Sequence, residues 1–246
     1  FAPMSLMPVV LMWDPKAHPT FNTISDIGQT STRVLYFKGS TYMDYLTGSG
    51  ILKKSQVDGS YDGTPSRFIA DRGQDVQQGF VTNEVWSYQN AIPQWMKAVR
   101  YALVSDSGYP NYPETLAIRP DRKAELAPCL KKLIPIFQRS TVAYLADPKP
   151  TSDLIVNLVK AMGKIGAYPY SSAQAANAAH VMKQLGIMGN GNGKTIGSFD
   201  PTRVQKIINI VKPIFAAQHT PIKDGLTAGQ LVTNEFIDPS IGAPAS

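Results

Sequence analysis

The sequence predicts an α/β protein with parallel strands, built in two parts. Three observations carry this reading. Short β-prone runs alternate with short helical patterns up to about residue 105. From about residue 122 the chain turns to long helical patterns with few strands. Glycines and capping residues stand where strands hand over to helices. One lobe is therefore expected near residues 16–105, with a return to another from about residue 110.

The elements follow in order. Thr23 to Gly28 reads as a short helical lead-in after the turn-rich Asp14 to Pro19. Val34 to Phe37 is a β-prone run, and Gly39 permits a sharp turn behind it. Ser40 or Thr41 suits a helix N-cap, Thr41 and Asp44 have capping-box spacing, and Met43 and Leu46 repeat at helical spacing. Asp62-Gly63 marks a tight loop, and Ser66 to Ala70 opens a short helix. Gly79 to Thr82 reads as a second strand ending at Asn83 and Glu84, Val99 to Val104 as a third, and Leu116 to Arg119 as a fourth. A helical stripe then runs through Leu126, Leu130, Leu133, Ile134, Phe137 and Val142, with Pro135 as a kink. Thr151 or Ser152 caps the next helix. Ala173 to Leu185 forms another, stopped by Gly186, and Asp200-Pro201 begins a last one running toward Phe215.

Composition excludes several classes. The chain has 246 residues, 43% of them hydrophobic, and no apolar run of the roughly 18 residues that a membrane span requires. The net charge of +6 is dilute. Residues 1–105 carry nine Lys+Arg against eight Asp+Glu, and the remainder 15 against 10. Without a basic run or a recognition motif, a nucleic-acid partner is not expected. Cys129 is the one cysteine, so no disulfide forms within the chain, and its apolar neighbours predict a small buried side chain. His18, His180 and His219 lack metal-ligand spacing, and no metal or cofactor is expected.

The chemistry-bearing motifs are few. Gly189 to Thr195 looks like a phosphate loop but has three residues, not four, before Gly-Lys-Thr, and follows a helix rather than a strand. A glycine-rich turn is the better reading. No nucleophile elbow or triad setting occurs, so no enzyme is expected. Val-Thr-Asn-Glu stands at both 81–84 and 232–235, too short a repeat to mark duplication. Ligands of open α/β sheets bind beyond the carboxyl ends of the strands. That rule selects Gly39, Ser40, Thr41 and Tyr42 after one strand and Asn83 and Glu84 after another. Trp13, Tyr61 and Phe80 are candidate aromatic walls for a small-molecule pocket.

Several stretches together resemble a known family: Met12-Trp13-Asp14-Pro15, the run from Tyr36 to Leu52, Asp58 to Pro65, Gln77 to Phe80, Leu126 to Leu133, Gly197 to Asp200, and Val232 to Gly242. The chain resembles the substrate-binding proteins of ABC importers, in particular the NMT1/THI5-like branch, related to binders of pyrimidines, nitrate, taurine and alkanesulfonates. The resemblance implies a type II periplasmic-binding-protein fold with two three-layer α/β/α lobes. Residues 1–15 would end lobe one and form the first crossover, 16–105 would be lobe two, and 106–246 would hold the second crossover and the return. Hinges are expected near Trp13–Pro15 and Ser105–Gly108. It further implies roughly another half-lobe before Met12, and so exposed apolar surface where that part would pack. The partners implied are a small-molecule ligand and a permease. The place implied is periplasmic or extracellular, with a lipid anchor on a full-length protein that works as a monomer. Glu84 would face the ligand, although the branch's Ser-Glu-Pro-Tyr reads Asn83-Glu84-Val85-Trp86 here. A pyrimidine-precursor synthase of the same fold needs a cysteine-rich motif that Cys129 alone does not provide, and a sensor domain is the remaining alternative.

Overall fold

The computed structural model describes residues 1–163 and 170–243. The chain divides into two compact units. Unit 1 comprises residues 1–7, 111–205 and 227–246, and unit 2 residues 8–110 and 206–226.

Unit 2 is organised by a five-stranded sheet. Its strands are β1 (Val9–Trp13), β2 (Val34–Leu35), β3 (Val57–Asp58), β4 (Val76–Phe80) and β5 (Arg100–Leu103), in the spatial order β3-β2-β4-β1-β5. β2 runs parallel to both β3 and β4, while β1 is antiparallel to its neighbours β4 and β5. β1 reads Val-Val-Leu-Met-Trp and is buried along its whole length, as a central strand covered on both faces must be. Because β1 pairs on both sides, it cannot belong to a segment that ends before the unit begins. Unit 2 starts at Pro8, and the chain changes unit at Met7–Pro8, Pro110–Asn111, Gln205–Lys206 and Leu226–Thr227. The stretch 206–226 also joins unit 2, which the linear sequence did not suggest.

Short helices complete the unit: α1 (Ile24–Gly28), α2 (Thr41–Gly48), α3 (Ser66–Ala70) and α4 (Glu84–Asn90). α1 carries a full capping box: Asp26 N–H donates to Thr23 Oγ1 and Thr23 N–H donates to Asp26 Oδ2. Successive strand residues point to opposite faces. Gln78 touches Tyr42 of α2 and Gln77 touches Tyr88 of α4, so α2 and α4 lie on opposite faces of the sheet. Unit 2 is thus three layers thick. Phe68, Tyr88 and Trp95 pack edge to face within 6.1 Å of one another on the α4 side.

The described residues of unit 1 are helices and irregular segments: α5 (Lys123–Ala146), α6 (Lys149–Met162), α7 (Ser172–Gln184), the first turns of α8 (Pro201–Ala217), and α9 (Ala228–Leu231). Leu116 to Arg119 is not a strand. Leu116 N–H donates to Phe1 O, but no ladder continues, and Pro113 and Pro120 flank the segment. α6 begins at Lys149, two residues before the expected cap. α5 is one 24-residue helix with both Pro128 and Pro135 inside it. Its buried stripe is Leu130, Ile134, Gln138 and Thr141. Cys129 falls one position off that stripe, about 100° around the helix, and is exposed rather than buried. Leu130 and Ile134 pack with Phe236. Elsewhere the unit exposes large apolar side chains, among them Leu154, Leu158 and Met162 of α6.

Carboxamides do much of the pairing that a ladder would do. Gln138 donates from Nε2 to the carbonyls of Ile196 and Asp238 and accepts Asp238 N–H. Asn234 accepts Phe199 N–H and donates to Phe199 O, and Asn190 does the same with Ala243. The glycine-rich turn 189–195 is therefore occupied in holding the segment near Ala243. Replacing buried Gln138 by Leu leaves three backbone groups without this partner and should cost about 3 kcal/mol. Denaturant unfolding checks this; a loss below about 1 kcal/mol would show that water or a shifted backbone replaces the carboxamide.

Candidate functional site

The carboxyl end of a parallel strand leaves carbonyls and the first turn of the following helix at one edge. In unit 2 that edge collects three turns: 36–41 after β2, 59–65 after β3, and 81–83 after β4. Gly39 sits at φ +88°, which a β-carbon would disfavour, and its open surroundings show that conformation rather than space demands glycine. Ser40 is the N-cap of α2 but makes no side-chain cap. Its hydroxyl donates instead to Phe37 O at 2.7 Å, closing the turn. The expected Thr41–Asp44 capping box is absent, because the helix starts at Thr41 itself, and Asp44 accepts a hydrogen bond from Gln218.

Two adjacent glutamines fix this edge. Gln78 Oε1 accepts both Phe37 N–H, at 2.9 Å, and Tyr42 O–H, at 2.5 Å. One carbonyl oxygen with two lone pairs thereby ties the end of β2 and the start of α2 to β4. Tyr42 is consequently a buried strut rather than a surface contact, and burial pushes its phenol well above the usual range. Gln77 faces the other way. Its Nε2 donates to Tyr61 Oη at 3.1 Å and Tyr88 Oη at 2.9 Å. Its Oε1 is buried with no hydrogen-bond partner among the described residues. Tyr61 is nearly buried and packs on Phe37, ring centroids 4.8 Å apart. Phe37 and Phe80 remain exposed at 38% and 37%, an unusual cost for two phenylalanines at neighbouring strand ends.

Glu84 opens α4, and its Oε2 accepts Phe80 N–H at 2.7 Å. Its Cβ and Cγ lie over Gly79, where an added β-carbon would stand 3.0 Å from Cβ, 3.4 Å from Cγ and 3.2 Å from Met12 Sδ. Gly79 thus makes room for the acid. Burial raises the Glu84 carboxyl above its ordinary value, and the hydrogen bonds from Phe80 N–H, its own N–H and the Asn83 side chain only partly offset this. Asn83 is the N-cap without a side-chain cap, its Oδ1 accepting from Ser87 Oγ at 3.3 Å. Asp58 is held down to about 2 by the Ser60 hydroxyl and by Arg67, which pairs with it at 2.9 Å. Arg67 also donates to Ser60 Oγ.

The structure therefore puts Gly39, Ser40, Thr41, Tyr61, Asn83 and Glu84 on turns at one edge of the sheet, with Tyr42 buried behind them. It does not bring Trp13 to them. β1 is antiparallel, with Met12 opposite Gln77 and Val9 opposite Phe80, so Trp13 ends at the far edge of the sheet. There it is 1% exposed and packs edge to face on Phe21. Gln77, Gln78 and Phe37 were not singled out from sequence. The signal was two polar residues side by side in Val76-Gln77-Gln78-Gly79-Phe80, a segment whose strand was expected to begin only at Gly79. Among the described residues no group of His, Cys, Asp and Glu could hold a metal ion.

Two acid responses of opposite sign follow. The Asp58 carboxyl is depressed, so its contribution is present above the unfolded value and is lost as pH falls from about 4 to about 2. Asp58→Asn should flatten the acid limb of a thermal-melt series in that window. The raised Glu84 carboxyl stabilises the protonated fold, and that contribution is lost as pH rises through its folded value. Glu84→Gln should therefore gain in Tm relative to wild type as pH increases from 4 to 8. A constant offset between the two melts would contradict this assignment.

No protein-family model and no curated protein matches this sequence. Solved structures do match its fold. One is the alkanesulfonate-binding protein SsuA from Xanthomonas axonopodis pv. citri bound to MOPS, which is 12% identical, with a TM-score of 0.51, over 94% of this chain and 71% of that one. At this identity the likeness is one of fold: this chain has a mixed α/β, periplasmic-binding-protein-like fold.

Proposed function

We propose that this protein is an extracytoplasmic solute-binding protein that captures a small organic molecule and delivers it to the permease of an ABC importer. The observation that carries the reading is that the Phe37–Tyr42 turn and the Asn83–Glu84 turn follow the adjacent parallel strands β2 and β4 at the same edge of the sheet. The fold supports it, since the SsuA structure of like fold is a binding protein. The sequence motifs favour the NMT1/THI5-like branch within such proteins. Ser40 and Thr41 offer hydroxyls, Glu84 a carboxyl hydrogen-bonded by the Asn83 side chain, and Tyr61 with Phe37 an aromatic wall. Binding needs no covalent step, and the site holds no nucleophile beside a base.

Capture would proceed by hinge movement at two of the four places where the chain changes unit, Met7–Pro8 and Pro110–Asn111. Both points carry proline, which restricts the backbone and confines bending to few residues. No helix among the described residues is long and apolar enough to cross a membrane. The working form is a monomer, anchored through lipid where a longer precursor supplies the signal.

A thermal-shift panel of pyrimidines, alkanesulfonates, nitrate, amines and amino acids tests the proposal. At a hundredfold excess over Kd a true ligand stabilises by about 2.7 kcal/mol, a shift of several degrees. Ser40→Ala and Glu84→Ala should each reduce that shift. A panel without a single stabilising solute would overturn the reading, and an undiminished shift in both variants would move the site elsewhere.

A further inference from the structure

The chain passes between the two units four times, and one turn of α8 holds all four crossings on the unit 1 side. Arg203 donates from Nη1 to the carbonyl of Ser5 at 2.7 Å and from Nη2 to the carbonyl of Asn111 at 2.6 Å. Its guanidinium also lies over the Tyr112 ring, 3.8 Å from the centroid. The third crossing is α8 itself, which runs from Pro201 to Ala217 across the boundary at Gln205–Lys206. Two residues past Arg203, Gln205 Oε1 accepts Ala228 N–H at 3.0 Å, just beyond the fourth crossing.

Unit 2 anchors the first two crossings from its own side. Val81 N–H donates to Pro8 O at 3.0 Å, next to β1. Tyr45 of α2 donates from its hydroxyl to Ser107 O at 2.8 Å and stacks on Tyr109, ring centroids 5.2 Å apart. Each of these crossings is thus held within a few residues on both sides, at Ser5 and Pro8 and at Tyr109 and Asn111. α2 begins at Thr41, so the helix that carries a candidate site residue in its first turn carries a crossing anchor one turn later. An arginine fork suits the unit 1 side. It is always charged, and its fixed geometry reaches two carbonyls distant in sequence while its face stacks on a ring. A lysine puts one compact ammonium on a flexible stem and cannot do both.

We infer that Arg203 is a positioning residue of the hinge: by holding the carbonyls of Ser5 and Asn111 to one guanidinium, it makes the first two crossings bend together rather than separately. It acts through those two backbone segments rather than on the ligand. Gln205 ties the third crossing to the fourth in the same way. The part this coupling plays in capture rests on the solute-binding reading above, whereas the coupling itself rests on contacts made within each unit.

Pulsed electron double resonance tests this in the full chain without solute. One nitroxide is carried by exposed Cys129 in unit 1 and the other by an exposed Lys54→Cys in unit 2. Arg203→Lys should broaden the distance distribution by at least about 1.5-fold, because crossings that bend separately reach more states. Tyr45→Phe keeps the ring stack but loses the bond to Ser107, and it should broaden the distribution as well. An unchanged distribution in Arg203→Lys, even with a lower Tm, shows a structural contact only and overturns the inference. Should that variant fail to melt cooperatively, Tyr45→Phe decides by the same criterion. A thermal-shift panel without a stabilising solute removes the solute-binding reading and leaves the broadening standing. An unchanged distribution alongside a stabilising solute removes this inference alone.

Discussion

Two adjacent carboxamides in the middle of a buried strand set the form of unit 2. β4 is covered on both faces, so polar side chains at Gln77 and Gln78 carry a desolvation cost that hydrogen bonds must offset. Gln78 Oε1 meets that requirement with the backbone of Phe37 and the hydroxyl of Tyr42, and Gln77 Nε2 with the hydroxyls of Tyr61 and Tyr88, while Gln77 Oε1 has no hydrogen-bond partner among the described residues. Because strand residues alternate in direction, the pair reaches both helical layers and two of the three edge turns at once. The positions of Gly39, Ser40 and Tyr61 follow from those bonds.

The same logic separates the edge from the core. Tyr42 and Tyr88 are spent as struts, with hydroxyls turned inward. Phe37 and Phe80 stay in solvent although burial of either would stabilise by roughly 2 kcal/mol. Gly79 gives up a side chain so that Glu84 can lie against the strand end. A fold shaped by stability alone would not leave rings exposed and a carboxyl half-desolvated within the same few residues, and this combination is what a ligand would repay.

Much of unit 2 was legible in the sequence. Thr23 and Asp26, the Gly39 turn, the Ser66–Ala70 helix and the Arg100–Leu103 strand carry local signals, and local physics places them. The position of Trp13 was not legible, because its strand end is defined by a direction, and direction depends on pairing with β4 and β5 far along the chain. The tethering role of Gln77 and Gln78 was not legible, because polar residues interrupt the apolar pattern by which a strand is recognised. Cys129 shows the limit of reading neighbours instead of phase: the apolar residues around it belong to a stripe one position away. In unit 1, Gln138, Asn190 and Asn234 pair with backbone groups 35 to 100 residues distant, contacts for which no local pattern exists.

The central claim is that the carboxyl edge of β2 and β4 receives the ligand. Amide chemical-shift mapping with the tightest-binding small molecule tests it most directly. The account predicts saturating shifts at Phe37, Gly39, Ser40, Thr41, Phe80 and Glu84, with Trp13 indole N–H unmoved. Saturating shifts confined to Trp13, Phe21 and the opposite edge of the sheet would contradict it.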